Sequence, residues 1–284
     1  MSDQRRRFKR SASTKTFLRL LGITILCLPL FALSPLKEKA IRGPAKIGAG
    51  TFAPLYGLDT GQRELPLAEF MIDRFPVTNR QFSDFVNSHP EWLPLNTPAL
   101  LADSGYLSHW NHEQNKCSPK KQDLDSPVVH LSWFAAQAYC ESVKGRLPTG
   151  LEWEYVAAAS EKVRDASRDA DFVAQILAWY SHPVESSIGE IGQKPPNYWG
   201  VYDLHGLIWE WTEDFNSMFV AGDNRREDDR LKNLFCGDGA TGAARREDYA
   251  AFMRYALRNS LKANFTLANL GFRCAYDPNK EPKS

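Results

Sequence analysis

The stretch Gly200-Val-Tyr-Asp-Leu-His-Gly-Leu-Ile-Trp-Glu-Trp-Thr-Glu-Asp214 constrains this chain more than any other. Alternation in Ile208-Trp-Glu-Trp-Thr212 predicts a short strand, with Trp209 and Trp211 on one face and Glu210 and Thr212 on the other. A carboxylate in so aromatic a setting needs a cation, a metal or several N–H donors. Asp203 lies just upstream, across a turn that contains Gly206. Asp203, Glu210 and the turn carbonyls are an oxygen-rich set of the kind a hard cation such as calcium uses. The plainer alternative is a core strand whose Glu meets an Arg.

Before that stretch can be placed in a cellular setting, the first 34 residues have to be set apart. Seven of the 35 basic residues and one of the 34 acidic ones fall within residues 1–19, leaving 28 against 33 in the remainder. The folded part is therefore acidic, which argues against a nucleic-acid binder. The basic start runs into the apolar segment Leu20–Leu33, the pattern of an export signal. Pro35 disfavours cleavage after Ala32-Leu33-Ser34, so membrane attachment through residues 17–36 is the alternative. Both place the domain outside the cytoplasm. There Cys117, Cys140, Cys236 and Cys274 form an even set, with three ways to pair as disulfides. The expected layout is a signal or anchor over 1–34, a linker over 35–47, one domain over 48–277 and a tail over 278–284.

Along the domain, Glu69–Val77 reads as a strand ended near Pro76, and Thr78 or Asn79 caps a helix carrying Phe82, Phe85 and Val86. Residues 91–126 read as loop, and Pro127–Ser132 as a short apolar strand in which His130 is a satisfied core residue. Ser132 caps a helix to Lys144, stopped by Gly145. Thr149-Gly-Leu-Glu152 is a capping box that opens a helix to about Ala159. A short helix is predicted near Phe172–Trp179, a charged, solvated insertion over 213–248, and a central closing strand at the end of Asn269–Ala275. His109, His112 and Cys117 are close enough in sequence to be a candidate copper or zinc set. His205, inside the central turn, is expected to make a structural hydrogen bond.

Six fragments in this order resemble the formylglycine-generating enzyme (sulfatase-modifying factor) family. They are Asp73-Arg-Phe-Pro-Val-Thr-Asn79, Pro127–Trp133, Ala138-Tyr-Cys140, Gly145–Thr149 with Glu152-Trp-Glu-Tyr155, Gly200-Val-Tyr-Asp with Trp209-Glu-Trp211, and Asn269-Leu-Gly-Phe-Arg-Cys274. The resemblance implies an α+β domain, a variant of the C-type-lectin fold with little regular secondary structure. It implies a calcium site from the Asp203 side chain, the Gly206 and Ile208 carbonyls and the Glu210 carboxylate. It also implies a Cys140–Cys274 disulfide and a substrate groove lined near Trp209, Arg254 and Asn269.

The departure from the family matters most. Its oxidase chemistry uses two cysteines, five residues apart, that bind copper(I). The matching positions fall near Arg245 and Ala250, neither of which supplies a thiolate. Sulfatase activation by that route is therefore not expected, unless Cys236 is brought in by the insertion. Branches of the family without the copper pair imply two other roles: an accessory or maturation factor for a periplasmic redox protein such as copper nitrite reductase, holding a peptide or protein partner, or an oxidoreductase acting on a peptide-derived substrate, as in pyoverdine maturation. The second would draw on copper or iron held by His109, His112, Cys117 or Cys236. The candidate catalytic residues are Trp209, Arg254, Asn269 and Cys236, with Arg258, Glu247 and Asp248 beside them.

Overall fold

The computed structural model describes residues 43–54, 64–113, 116–181, 188–216 and 246–278. Their strands are short. β1 (Ala45–Ile47), β4 (Phe70–Ile72) and β9 (Ala275–Tyr276) form an antiparallel sheet with β4 in the middle. β9 also bridges Arg146, so the end of the chain is enclosed on both sides, as expected of a closing strand. β2 (Gly50–Phe52) and β3 (Leu65–Leu67) pair as a ribbon. β5 (Asn111–Glu113) and β6 (Lys116–Ser118) do the same, within the stretch read as loop from its prolines. β7 (Trp209–Glu210) and β8 (Leu270–Gly271) pair in parallel.

The helices follow their capping chemistry. α1 (Asn79–Ser88) starts at Thr78, whose hydroxyl accepts from Gln81 N–H while the Gln81 side chain accepts from Thr78 N–H. Ser132 caps α2 (Trp133–Ser142). The predicted Thr149/Glu152 box opens α3 (Gly150–Ala157). Asp169 caps α4 (Ala170–Tyr180). α5 (Arg246–Ser260), for which the sequence carried no helix signal, precedes the closing segment.

Two cores meet at these elements. The larger gathers Phe82, Leu107, Leu131, Trp211 and Phe272; the smaller packs β1 and β4 against Trp153 and Val156 of α3. A disulfide joins Cys140 of α2 to Cys274, 134 residues later. Pro127–Ser132 does not form the expected strand. His130 takes a left-handed backbone, φ 53°, which turns the chain and ends pairing after the Thr78–Pro127 bridge. α2 ends through the left-handed backbone of Lys144, φ 63°, rather than at Gly145, which follows with no room for a side chain, since a Cβ would lie 2.9 Å from the Ala275 carbonyl oxygen.

Candidate functional site

The β7–β8 pair places Glu210 beside Arg273, because the parallel register sets Glu210 opposite Gly271. Arg273 Nη2 donates to Glu210 Oε1 at 2.7 Å and Nε to Oε2 at 2.8 Å. Trp153 Nε1 adds a third donor to Oε2 at 2.8 Å. Glu210 and Arg273 are both buried, so the pair is desolvated and held by directed hydrogen bonds. Of the two readings open for Glu210, the arginine partner is present in the structure, and only Oε1 retains acceptor capacity for a cation.

The rest of the proposed calcium set lies around this pair. Asp203, with φ 59°, accepts from Gly192 N–H through Oδ2 at 2.6 Å. Asp73 accepts from Cys274 N–H and from Tyr276 Oη–H. Burial pushes the Asp73 carboxyl up to about 6 and raises that of Asp203, and Glu210 adds to both effects. Among the described residues Arg273 pairs with Glu210 alone, its charge also reaches Asp73 and Asp203, and Lys194 lies close to the turn at Gly206. That deficit of positive charge fits a hard cation held by Asp203, the Gly206 and Ile208 carbonyls and one oxygen of Glu210.

On the other side of Trp153, Glu154 of α3 meets α5. Arg254 donates to it through Nε at 2.9 Å and Nη2 at 2.6 Å, and Arg258 through Nη1 at 2.8 Å. Burial works against ionising Glu154, but the two guanidiniums hold its carboxyl down at about 2. Arg254 also donates to the Tyr180 hydroxyl, and Arg258 lies over the Trp153 ring at 4.7 Å. The arginines are four residues apart, so α5 presents both to one partner.

Arg254, a candidate of the groove, and Arg258 are thus both held by an internal carboxylate from α3. Trp209 stacks on Tyr180 at 4.9 Å and tilts against Trp179 at 5.1 Å, so α4 covers one side of it. Asn269 accepts from Trp209 N–H through its main-chain oxygen, and its side chain is half-buried. Trp209 and Asn269 are therefore adjacent along the main chain of the β7–β8 pair.

The soft-metal set does not assemble. His112 and Cys117 face one another across β5–β6, but the His112 ring is bonded to the Leu107 carbonyl at 3.1 Å. Cys117 is part of the larger core, where burial pushes its thiol up to about 11. The His109 ring stacks on His130 at 5.1 Å, and burial holds it down at about 3. Among the described residues no three His, Cys, Asp or Glu side chains converge on a point. His130 is half-buried rather than a core residue. His205 makes the expected structural bond, Nε2 to the Ala157 carbonyl at 2.9 Å. Cys236 and Arg245, and the side chains of Glu247 and Asp248, lie outside the described residues. Ala250, near which the resemblance places the other copper cysteine, is buried on α5 against Val173 and Ile176.

Sequence reasoning missed Glu154, Arg273, Trp179 and Tyr180. Only the Arg254/Arg258 spacing signalled a shared partner.

A short-stranded α+β domain with the Glu210–Arg273 pair at its centre and the Cys140–Cys274 bridge defines a class. The chain belongs to the family of the sulfatase-modifying factor enzyme 1-like domain, whose model matches residues 38–278. It is 26% identical to a formylglycine-generating enzyme of Bos taurus, over 76% of this chain and 67% of the relative. It is 29% identical to an inactive Cα-formylglycine-generating enzyme 2 of the same organism, over 78% and 81%. Among solved structures, that of CarF covers 85% of this chain and 98% of its own at 17% identity, with a TM-score of 0.45.

Proposed function

We propose that the chain is an exported accessory or maturation protein that holds a peptide or protein partner and does not carry out copper-dependent oxidation. The observation that carries this reading is Ala250. It falls near a position where the resemblance puts a copper cysteine, it is buried against α4, and the next polar turn of its helix is committed to Glu154. A thiolate pair is what copper(I) needs, and this helix offers an alanine packed in hydrocarbon. The similarity to a relative named as inactive supports the same direction.

The partner we favour belongs to a periplasmic redox system of the copper nitrite reductase type. Trp209 and Asn269 would form its contact, with Trp179 and Tyr180 fixing the orientation of Trp209. Calcium at Asp203, Gly206, Ile208 and Glu210 would serve as a structural ion, neutralising the buried acids and fixing the turn that leads into β7. No reaction step passes through it.

The test is production of a copper nitrite reductase in cells with and without this chain. Copper per reductase subunit should be higher with the chain, unchanged by Cys236→Ser and reduced by Trp209→Ala in a variant shown to be folded. Equal copper occupancy with and without the chain would overturn the accessory reading. Conversion of a peptide-derived substrate by the purified chain alone would favour the modifying-enzyme alternative.

A further inference from the structure

Trp209 is half-buried beside β8, and its ring forms part of the proposed partner contact. Its pairing with Leu270 fixes the main chain but leaves the ring free to choose among staggered rotamers. Tyr180 stacks on that ring with 23° between the planes, and Trp179 tilts against it at 36°. Both belong to the final turn of α4, and Tyr180 is its last residue. Helix ends fray, so the backbone alone does not hold a terminal ring against its neighbour.

The hold comes from the far end of the tyrosine. Arg254 of α5 donates through Nη1 to the Tyr180 hydroxyl at 3.1 Å and to the Ala250 carbonyl at 3.3 Å. The hydroxyl donates to the same carbonyl at 3.4 Å, closing a ring of hydrogen bonds between α4 and α5. Burial raises the phenol above its ordinary value, so it keeps the proton this arrangement needs.

Arg254 is itself fixed. Its Nε and Nη2 are bonded to Glu154, and its side chain is only 11% exposed. A guanidinium is rigid and planar, so anchoring the Nε–Nη2 edge on a carboxylate determines where Nη1 points. An ammonium on a flexible stem would meet Glu154 or Tyr180 without linking them in a set geometry. Four elements are thereby connected in order: Glu154 of α3, Arg254 of α5, Tyr180 of α4 and Trp209 of β7.

We infer that Arg254 is a positioning residue for the Trp209 contact. Held by Glu154, it fixes the Tyr180 ring, and that ring sets the rotamer of Trp209. Arg254 thus acts through Tyr180 and needs no contact of its own with the partner. The use of this positioning in holding a partner rests on the reading above, whereas the positioning belongs to the free chain.

The test replaces the tryptophans with fluorotryptophan and follows the fluorine resonance of Trp209, identified as the line lost in Trp209→Phe. Tyr180→Phe keeps the stacked ring and removes only the hydroxyl. It should broaden the Trp209 line and shift it towards its unfolded position, with the lines of Trp133 and Trp211 in the larger core unmoved. Arg254→Lys should shift the same line in the same direction, and the double variant should add nothing, because both changes break one bond. An unmoved Trp209 line in Tyr180→Phe would overturn the proposal. So would additive shifts in the double variant, or an equal displacement of every tryptophan line, which would mark the bond as merely structural. Should Arg254→Lys fail to fold, Tyr180→Phe alone decides. Equal copper occupancy with and without the chain would remove the partner and leave the fluorine result standing, so the two failures are distinguishable.

Discussion

Glu210 is 4% exposed and carries its charge at the centre of the molecule, so the fold around it depends on Arg273 being in place. Glu210→Gln would strand a buried guanidinium, and the loss should be about 3–5 kcal/mol, read by denaturant unfolding. A loss below about 1 kcal/mol would mean that water reaches the pair.

Asp73 makes a separate prediction, of opposite sign to the usual carboxylate. Its folded carboxyl stands at about 6, above its unfolded value. The protonated form is therefore favoured by folding. Its stabilisation is complete below about pH 4 and is lost as pH rises through 6, a change of about 3 kcal/mol. Asp73→Asn should flatten that part of the stability–pH curve. An unchanged slope would show that the group does not titrate there.

At this scale the sequence was informative about chemistry and silent about distance. The choice between a cation and an arginine for Glu210 could be posed from its aromatic surroundings. Arg273 lies 63 residues further on, and nothing local joins the two.

Among the elements, those with a local chemical signature were legible. Thr149 with Glu152 fixes the start of α3 because both capping partners lie within one turn. Ser132 fixes the start of α2 for the same reason, whereas its end is turned by Lys144 rather than by Gly145. Pro127–Ser132 was misread because a run of apolar residues says nothing about the left-handed turn at His130. α5 was missed because its inward face carries Arg254 and Arg258, which makes a buried face look like a solvated one. The hairpin of β5 and β6 was hidden by the prolines around it.

The α3–α5 contact is the element-level feature most open to attack. Glu154→Gln removes the one carboxylate that faces two buried guanidiniums, and the chain should lose about 10 °C in melting temperature. A hydrophobic replacement of the whole set, Glu154→Leu with Arg254→Met and Arg258→Met, should recover much of that loss. If the triple variant melts no higher than the single one, the pair contributes more than charge compensation.

For the whole molecule, the family and the α+β class were legible because six short fragments fall in a fixed order, although each is weak alone. The soft-metal set was not, since it depends on where β5, β6 and the core bring three side chains. The Cys140–Cys274 bridge closes 134 residues of chain. Its reduction should cost about 2–5 kcal/mol. Calcium acts at the same scale. Added calcium should raise the melting temperature by a few degrees through linkage, and Asp203→Asn should abolish the rise. A wild-type protein indifferent to both calcium and chelator would remove the ion from the account.

The central claim is that this member of the family has no copper oxidase chemistry of its own. Its most direct test is incubation of the purified chain with copper(I), oxygen and a cysteine-containing sulfatase peptide, with a formylglycine-generating enzyme as positive control and mass spectrometry as readout. The account predicts aldehyde in the control and none with this chain. Conversion of the peptide by this chain, lost in Cys236→Ser, would contradict it.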